Sequence, residues 1–396
     1  MNTGWEVKPL GEILSVIRNG ISRKQLKGAH GSPVSRIETI ASGSVDEEKV
    51  GTLDLTDAEK NKYRLESGDI LFSHINSPAH VGKTALFDGA SELYHGMNLM
   101  LLRTIPAVDA KYLENYLQSL RSRGYWARTA KQSVNQASVN QRDIKKVAIP
   151  LPPLEEQRRI VAVLDEAFEG LARARENTEA NLASAREVFK TSLSDALNKA
   201  ATDWEIVPVG DAFTTSTGST PPKSQKELYG DAVSFVKPPE LLNQEIGETA
   251  DGLSKKGEQV ARIAPAGSLL VSCIGILGKV GLAATDVAFN QQINSIQPNR
   301  SKALPEFMFY QVYSSAFRQQ LEALAGGTTV PIVNKSRFNS IKIALPPLDV
   351  QRDLVSRFQK LDQETKELQE AYRCKLQDLD ELRQTLLQKA FAGELT

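Results

Sequence analysis

The sequence predicts an α+β molecule: two pseudo-twofold-related mixed α/β globular domains joined by two long helices that pair as an antiparallel coiled coil. Three observations predict it. Trp5-Glu6-Val7-Lys8-Pro9-Leu10-Gly11 returns as Trp204-Glu205-Ile206-Val207-Pro208-Val209-Gly210, 199 residues later. Ile149-Pro150-Leu151-Pro152-Pro153-Leu154-Glu155-Glu156-Gln157-Arg158 returns as Ile343-Ala344-Leu345-Pro346-Pro347-Leu348-Asp349-Val350-Gln351-Arg352, 194 residues later. After each Pro-Pro pair, apolar residues recur at 3-4 spacing on an otherwise charged surface, which marks a narrow helical seam.

A chain of 396 residues exceeds what one core holds. The repeat divides it into four segments: 1–150 and 201–347, which are globular, and 151–200 and 348–396, which are helical. Each globular segment opens on a tryptophan-containing strand. A glycine loop follows, Asn19-Gly20-Ile21-Ser22 in the first and Thr217-Gly218-Ser219-Thr220-Pro221-Pro222 in the second. Short β-rich runs then recur at 33–37 and 232–237, and again at 67–73 and 266–272. Gly, Asn and Asp turns separate them, so they read as a mixed sheet. The next pattern is helical, over 110–130 and 305–324. A polar stretch, 131–142 or 326–337, precedes the exit strand, with Val139-Asn140 matching Val333-Asn334 at the offset of 194.

The Pro-Pro pairs fix the entry φ of the two long helices. The first seam runs Val161, Leu164, Phe168, Leu171, Arg175, Thr178, Leu182, Ala185 and Phe189. The second runs Leu354, Phe358, Leu361, Thr365, Leu368, Tyr372, Lys375, Leu379, Leu382 and Leu386. The polar members Arg175, Thr178, Thr365 and Lys375 fix register at some cost in stability. Equal length and equally narrow seams favour the helices packing on each other. The alternative has each helix packing on its own globular domain.

Two copies of one unit present two similar, non-identical faces. That arrangement suits a duplex read at two separated places, because protein symmetry mirrors half-site symmetry. The formal net charge is zero, so bulk charge argues neither for nor against nucleic acid. The first globular segment carries 20 Lys and Arg against 16 Asp and Glu, and the second 13 against 13. The cations are local. No acid lies between Glu114 and Asp143, an interval holding Arg121, Arg123, Arg128, Lys131 and Arg142 among Tyr116, Tyr125 and Trp126. No acid lies between Glu322 and Asp349 either, where Lys335, Arg337 and Lys342 fall. Cations without nearby acids suit phosphates, and the Asn, Gln, Ser and Thr beside them suit base edges. A helix of about 45 residues spans roughly 68 Å. That is close to two turns of B-DNA at roughly 34–36 Å each, the scale of a ruler between two DNA-reading heads.

Other chemistries find little support. Cys273 and Cys374 make no CxxC and read as reduced, intracellular thiols. The N-terminus has neither the basic nor the apolar region of a signal peptide, and no apolar run is long enough for a membrane span. Ser77-Pro78-Ala79-His80-Val81-Gly82-Lys83-Thr84 nearly matches a phosphate loop, but Ser77 replaces its first glycine, so it reads as a turn between strands. His30, His74, His80 and His95 lack zinc spacing. Asp69 and Asp88 have no matching acids in the second copy. No G-x-G-x-x-G loop exists, and Asn76-Ser77-Pro78-Ala79 lacks the aromatic residue of a base-holding methyltransferase motif. The chain reads as one that recognises and positions rather than catalyses, with no metal of its own.

At this point the whole chain resembles the specificity subunit of Type I restriction–modification systems. The two Pro-Pro-Leu-x-x-Gln-Arg junctions at 152–158 and 346–352 carry the resemblance. So do Leu386-Leu387-Gln388-Lys389-Ala390-Phe391-Ala392-Gly393-Glu394-Leu395, Arg36-Ile37-Glu38-Thr39-Ile40 and the Thr220-Pro221 loop. The resemblance implies two target-recognition domains, each binding one half of a bipartite asymmetric site on double-stranded DNA. It implies helices that set the spacing and dock two methyltransferase subunits, with restriction/translocase subunits joining the full complex. It further implies a non-catalytic chain in a prokaryotic cytoplasm. That chain binds no cofactor itself: S-adenosylmethionine, for methylation of adenine, and ATP with Mg belong to the partners.

The DNA-contacting candidates in the first head are Arg18, Lys24, Arg36, Lys83, Arg128, Asn135, Asn140 and Arg142. Those in the second are Thr220, Lys223, Lys237, Lys279, Thr328, Thr329, Asn334 and Lys335. Arg and Asn suit base edges, and Lys suits phosphates. Leu164, Phe168, Leu171, Phe358, Leu361, Leu368 and Leu382 are assigned to the helix seam or to subunit docking. The readings from other classes are a coiled-coil scaffold with protein-binding heads, a stand-alone nuclease or methyltransferase, and a DNA-recognition subunit of another phage-defence complex.

Overall fold

The computed structural model describes residues 4–23, 31–199, 204–327 and 329–395, with the side chains of 186, 198 and 199 excepted. The chain divides into two units, Met1–Thr178 with Cys374–Thr396, and Glu179–Arg373. Both long helices, Leu154–Lys199 and Leu348–Ala392, therefore contribute one part to each unit.

In the first unit, strand Glu6–Pro9 pairs antiparallel with the exit strand Ala148–Leu151, so both ends of the head meet. The core is a four-stranded antiparallel sheet, in spatial order Leu14–Asn19, Leu99–Thr104, Ile70–Ser73 and Thr84–Leu86. Side chains alternate between the two faces of a strand. Ile70, Phe72, Met100 and Leu102 join one apolar cluster, and Leu71, Leu99 and Leu101 join another. Burial on both faces explains why these strands read as unbroken apolar runs.

The second unit repeats the closure, with Glu205–Pro208 on Lys342–Leu345. Its main sheet has five strands, in order Thr214–Thr217, Ile293–Gln297, Leu269–Ser272, Val280–Ala283 and Gln244–Ile246. The last pair is parallel, and Tyr229–Val236 pairs parallel with Val287–Phe289 in a neighbouring sheet. The mixed sheet is thus real in this unit. In the first unit the named strand pairs are antiparallel throughout.

Two sequence-predicted helices are each broken in two. The first runs Ala110–Ser122, then Tyr125–Thr129, because Gly124 takes φ +70° between them. The second runs Pro305–Tyr313, then Ser315–Ala323, because Ser314 leaves the helix and its hydroxyl caps the next one on Phe317 N–H.

The long helices pack into these cores. In the first unit, Ile160 and Leu164 share a cluster with Leu387, Ala390 and Phe391. The Phe391 ring meets Tyr112 and Tyr116 edge-on at 5.2 and 5.0 Å. Phe168 lies under the Arg383 guanidinium at 4.0 Å, and Arg175 pairs with Asp380, so these two helix parts run antiparallel. In the second unit, Phe189, Leu193 and Leu197 share a cluster with Leu354, Val355, Phe358 and, partly buried, Leu361. Leu171 is half-buried.

The seam is not continuous over its assigned residues. Leu368 and Leu382 are 45% and 48% exposed, and Lys375 is exposed beside a half-buried Leu376. At the C-terminal end the head core selects the buried face, through Leu387, Ala390 and Phe391, and this displaces the strict heptad.

The Gln of each Pro-Pro-Leu-x-x-Gln-Arg junction is buried, at 1% exposure for Gln157 and 0% for Gln351. Gln157 Oε1 accepts from Asp109 N–H at 2.9 Å, while its Nε2 donates to the carbonyls of Pro152 at 2.8 Å and Ala107 at 3.3 Å. Gln351 Oε1 accepts from Leu304 N–H at 2.9 Å, and its Nε2 donates to Pro346 at 2.8 Å and Lys302 at 2.9 Å. One amide thus ties the start of each long helix to the loop that enters the head helix. Gln157→Ala and Gln351→Ala should each lower unfolding free energy by roughly 1–3 kcal/mol, because truncation strands the buried Pro152 or Pro346 carbonyl beside a part-buried N–H and a second carbonyl. Denaturant titration checks this, and a loss below about 0.5 kcal/mol would refute the latch.

Candidate nucleic-acid interface

The polar stretch of the first unit is a projecting β-hairpin. Strands Lys131–Ser133 and Gln136–Ser138 pair antiparallel, and the inner one continues onto Ile75–Asn76. Residues 131–136 are all exposed, while Ala137 and Val139 are buried anchors. Val134 and Asn135 form the tip. Asn135 takes φ +59°, a left-handed conformation that Asn tolerates at turns. Val134 is 90% exposed. Val139 N–H donates to His74 O at 2.8 Å, which fixes the hairpin base to the core strand.

A short helix, Gln141–Lys145, follows at once. Asn140 is its N-cap: Oδ1 accepts from Asp143 N–H at 3.0 Å, and Asp143 Oδ2 accepts from Asn140 N–H at 3.2 Å. A concavity of about 620 Å3 lies beside this element, lined by Asn19, His74, Lys131, Asn140, Gln141 and Arg142 among others. Gln141 Nε2 bonds Asn19 Oδ1 at 3.1 Å, and Arg142 is exposed.

The second unit builds the same element with a shorter loop. Ile332 bridges Ile274 on one side and Gly326 on the other, as Ser138 pairs with Ile75 in the first unit. Val333 N–H donates to Cys273 O at 2.9 Å. Asn334 caps helix Lys335–Asn339, accepting from Arg337 N–H at 2.9 Å. Thr329, Asn334 and Lys335 are exposed. Lys24 and Thr328 lie outside the described residues.

The remaining candidates have other surroundings. Arg18 is bonded to the Lys62 carbonyl, Arg36 pairs with Glu38 at 3.3 Å, and Arg128 Nη1 donates to Arg123 O at 2.8 Å. Lys83 Nζ donates to Ala41 O at 2.8 Å. Thr220 bonds Gln291, Lys237 pairs with Asp251, Lys223 is exposed, and Lys279 is half-buried. The structure therefore sets Asn135, Asn140 and Arg142 along one hairpin-and-helix segment, where Asn140 and Arg142 line the same concavity, and Thr329, Asn334 and Lys335 along the corresponding segment of the other unit. Sequence reasoning passed over the apolar tips: Val134, and in the second unit Val330, Ile332 and Ile276, at 45%, 43% and 65% exposure. In the first unit a lone β-branched residue inside a polar stretch was the available signal.

Other groups in the heads are structural. Asp69 is fully buried and held by both forks of Arg103 at 2.6 and 2.8 Å. Cys273 is buried, which pushes its thiol up to about 12. Among the described residues no cluster of His, Cys, Asp or Glu could hold a metal ion, and no helix is long and apolar enough to cross a membrane. Burial pushes His74 down to about 4 and His95 down to about 3. His95 Nε2 bonds Leu99 O at 3.1 Å, and both Nδ1 atoms are buried without a partner.

A sequence profile described as the Type I restriction modification DNA specificity domain matches residues 2–181 and again 201–376. A Methanocaldococcus jannaschii chain assigned as the MjaX type I restriction enzyme specificity subunit is 32% identical over 99% of this chain and 93% of its own length. The type I restriction enzyme HindI specificity subunit of Haemophilus influenzae is 35% identical over 48% of this chain and 42% of its own. A chain solved in work on complex assembly and conformational transition of the type I R-M system superposes with TM-score 0.78 at 19% identity, over 99% of this chain and 98% of that one. The HsdS subunit from Thermoanaerobacter tengcongensis gives 0.61 at 19% identity, over 100% and 98%. These two structural likenesses are of fold.

The histidines predict a pH dependence. A histidine whose folded pKa is depressed lets the unfolded chain take up a proton that the native state refuses. Stability is therefore undiminished above about 6.5. It falls as pH drops from there toward about 4 for His74 and about 3 for His95. His95→Gln should flatten the stability profile between pH 6.5 and 4.5 in urea titrations. A slope equal to that of the wild type would show that His95 is not a source.

Proposed function

Because the chain belongs to the Type I restriction–modification DNA specificity family, we propose that each of its units reads one half of a bipartite, asymmetric site on double-stranded DNA. One observation carries the reading: the same exposed, acid-free element, closed by an Asn-capped short helix, stands at the same place in both units. Asn135, Asn140, Arg142 and Asn334 face base edges, with Thr329 beside them. Lys131 and Lys335 contact phosphates. Arg18, Arg36, Arg128, Thr220, Lys223, Lys237 and Lys279 form the outer ring, where those already bonded within the protein position loops.

The two long helices set the gap between half-sites and dock two methyltransferase subunits. Leu368 and Leu382, both exposed, are docking points on them. The partners supply S-adenosylmethionine and the catalytic residues for adenine, and restriction/translocase subunits with ATP and Mg join that core. This chain contributes specificity without catalysis, in a prokaryotic cytoplasm.

The test is the methylome of a methylation-free host that expresses the neighbouring methyltransferase gene with and without this chain. A new bipartite motif that requires this chain is the expected result. No motif, with the two proteins still co-purifying, would favour a protein scaffold. In the same assay Asn334→Ser should keep the cap, since Ser caps as well as Asn, yet lose the amide N–H2 group. Specificity should relax in one half-site only, and relaxation in both would rule out independent heads. Matched insertion of one heptad in both long helices adds roughly 10.5 Å and should lengthen the gap by about three base pairs. An unchanged gap would remove the ruler role.

A further inference from the structure

The first unit holds a second concavity, of about 680 Å3, whose lining shares no residue with the concavity beside the hairpin. The turn 77–84, helix Ala110–Ser122 and the second long helix wall it. Lys83, Arg121 and Arg383 all line it. Their hydrogen bonds go to neutral acceptors: Lys83 Nζ to Ala41 O at 2.8 Å, Arg121 Nη2 to Ala79 O at 3.1 Å, and Arg383 Nη2 to Gln118 Oε1 at 3.0 Å. Arg121 Nε is buried and donates to nothing. Among the described residues neither Lys83 nor Arg121 forms an ion pair. Asp380, the acid in the lining, is engaged by Arg175, and both it and Glu114 also act on the Arg383 charge.

Partly buried cations without an ion-pair partner, as Lys83 and Arg121 are, are costly, and like charges around one cavity repel. Burial weakens the hold of both Lys83 and Arg121 on their protons, and the Arg121 charge weakens that of Lys83 further. An anion in the cavity would relieve both costs. The turn itself cannot cradle it. His80, Val81, Gly82 and Lys83 N–H all donate to carbonyls of residues 73–80. Gly82, at φ +80°, serves packing: a Cβ there would collide with the Trp126 indole. Capture must therefore come from side chains. A lysine point charge with arginine forks is the donor set that suits phosphate oxygens. The volume lies within the roughly 300–1,000 Å3 range of small-ligand sites.

We propose that Lys83, Arg121 and Arg383 form a phosphate-binding site in the first unit, distinct from the base-reading element. It takes the phosphate group of a small ligand or of a DNA backbone, and it does not depend on the base-reading assignments. The test uses the full-length chain in chloride buffer, with inorganic pyrophosphate as the probe. At a concentration a hundredfold above Kd, pyrophosphate should raise the wild-type Tm by roughly 5–10 °C. Lys83→Gln and Arg121→Gln should each lose that rise, and Lys83→Arg should keep it. In chloride alone, Arg121→Gln should be at least as stable as wild type, because it removes an unpaired charge.

A second arm reads duplex binding against salt. If pyrophosphate does nothing, but the two Gln variants each flatten the log–log salt slope by about 0.9 for every sequence, the phosphate belongs to the DNA backbone and the site stands. No change in either arm overturns it. So does an Arg121→Gln variant that is equally destabilised with and without pyrophosphate while Lys83→Gln behaves as wild type.

Discussion

The amide of Gln157, and that of Gln351 in the second unit, closes the junction between each long helix and its head. A Pro-Pro pair has no N–H to offer, so the carbonyl before the helix and the loop entering the head helix must be satisfied by a side chain. Glutamine is long enough to reach, and its amide both donates and accepts. Each Gln serves one N–H and two carbonyls inside its own unit. With that junction fixed, the exit strand lies on the first strand, and the head helix is aimed across the sheet. In the first unit, Tyr112 and Tyr116 hydroxyls then reach the carbonyls of Pro150 and Ala148 at 2.7 and 2.6 Å. In the second, Gln311 does the same for Ala344 at 3.0 Å.

Under the proposed reading, the Asn of each element has two duties. Its Oδ1 caps a short helix, while Nδ2 stays available to a ligand. A helix of five residues has little stability of its own, so the cap is what holds the following Arg142 or Lys335 in place. On that proposal, sequence at this position reports fold and recognition together. Ser separates the two duties, because it caps without the amide.

Much of the fold was legible because the chain states it twice. The strand closures, the long helices and the Asn-centred elements all fall at offsets of 194 or 199. Three features were not legible. Helices 110–130 and 305–324 looked continuous because apolar spacing passes through Gly124 and Ser314, where backbone conformation and capping break the helix. Leu368 and Leu382 looked like seam residues because period alone cannot show that Leu387, Ala390 and Phe391 select a different face. Lys83 looked like an isolated cation, because Arg121 and Arg383 meet it only through tertiary packing. The candidate residues divide on the same line. Those next to the repeated Val-Asn pair cluster, whereas Arg18, Arg36, Arg128 and Lys237, chosen for charge alone, are bonded within the protein.

Zero net charge does not count against the proposed polyanion partner, because charges act locally. Screening confines surface charges to about 8 Å at physiological salt, so acids elsewhere on the chain do not weaken a cation at the tip of a loop. What matters is the absence of acids within that radius. Along the chain, residues 115–142 and 323–348 contain none, and Asp143, the first acid past one of these intervals, accepts from Asn140 N–H. The exposed Val134 and Ile332 sit inside the same acid-free segments. An apolar tip flanked by amides and cations suits a groove floor carrying base edges and thymine methyls, with phosphates on either side. That pattern supports the proposed DNA reading, and the neutral total reflects the acids carried elsewhere on the chain.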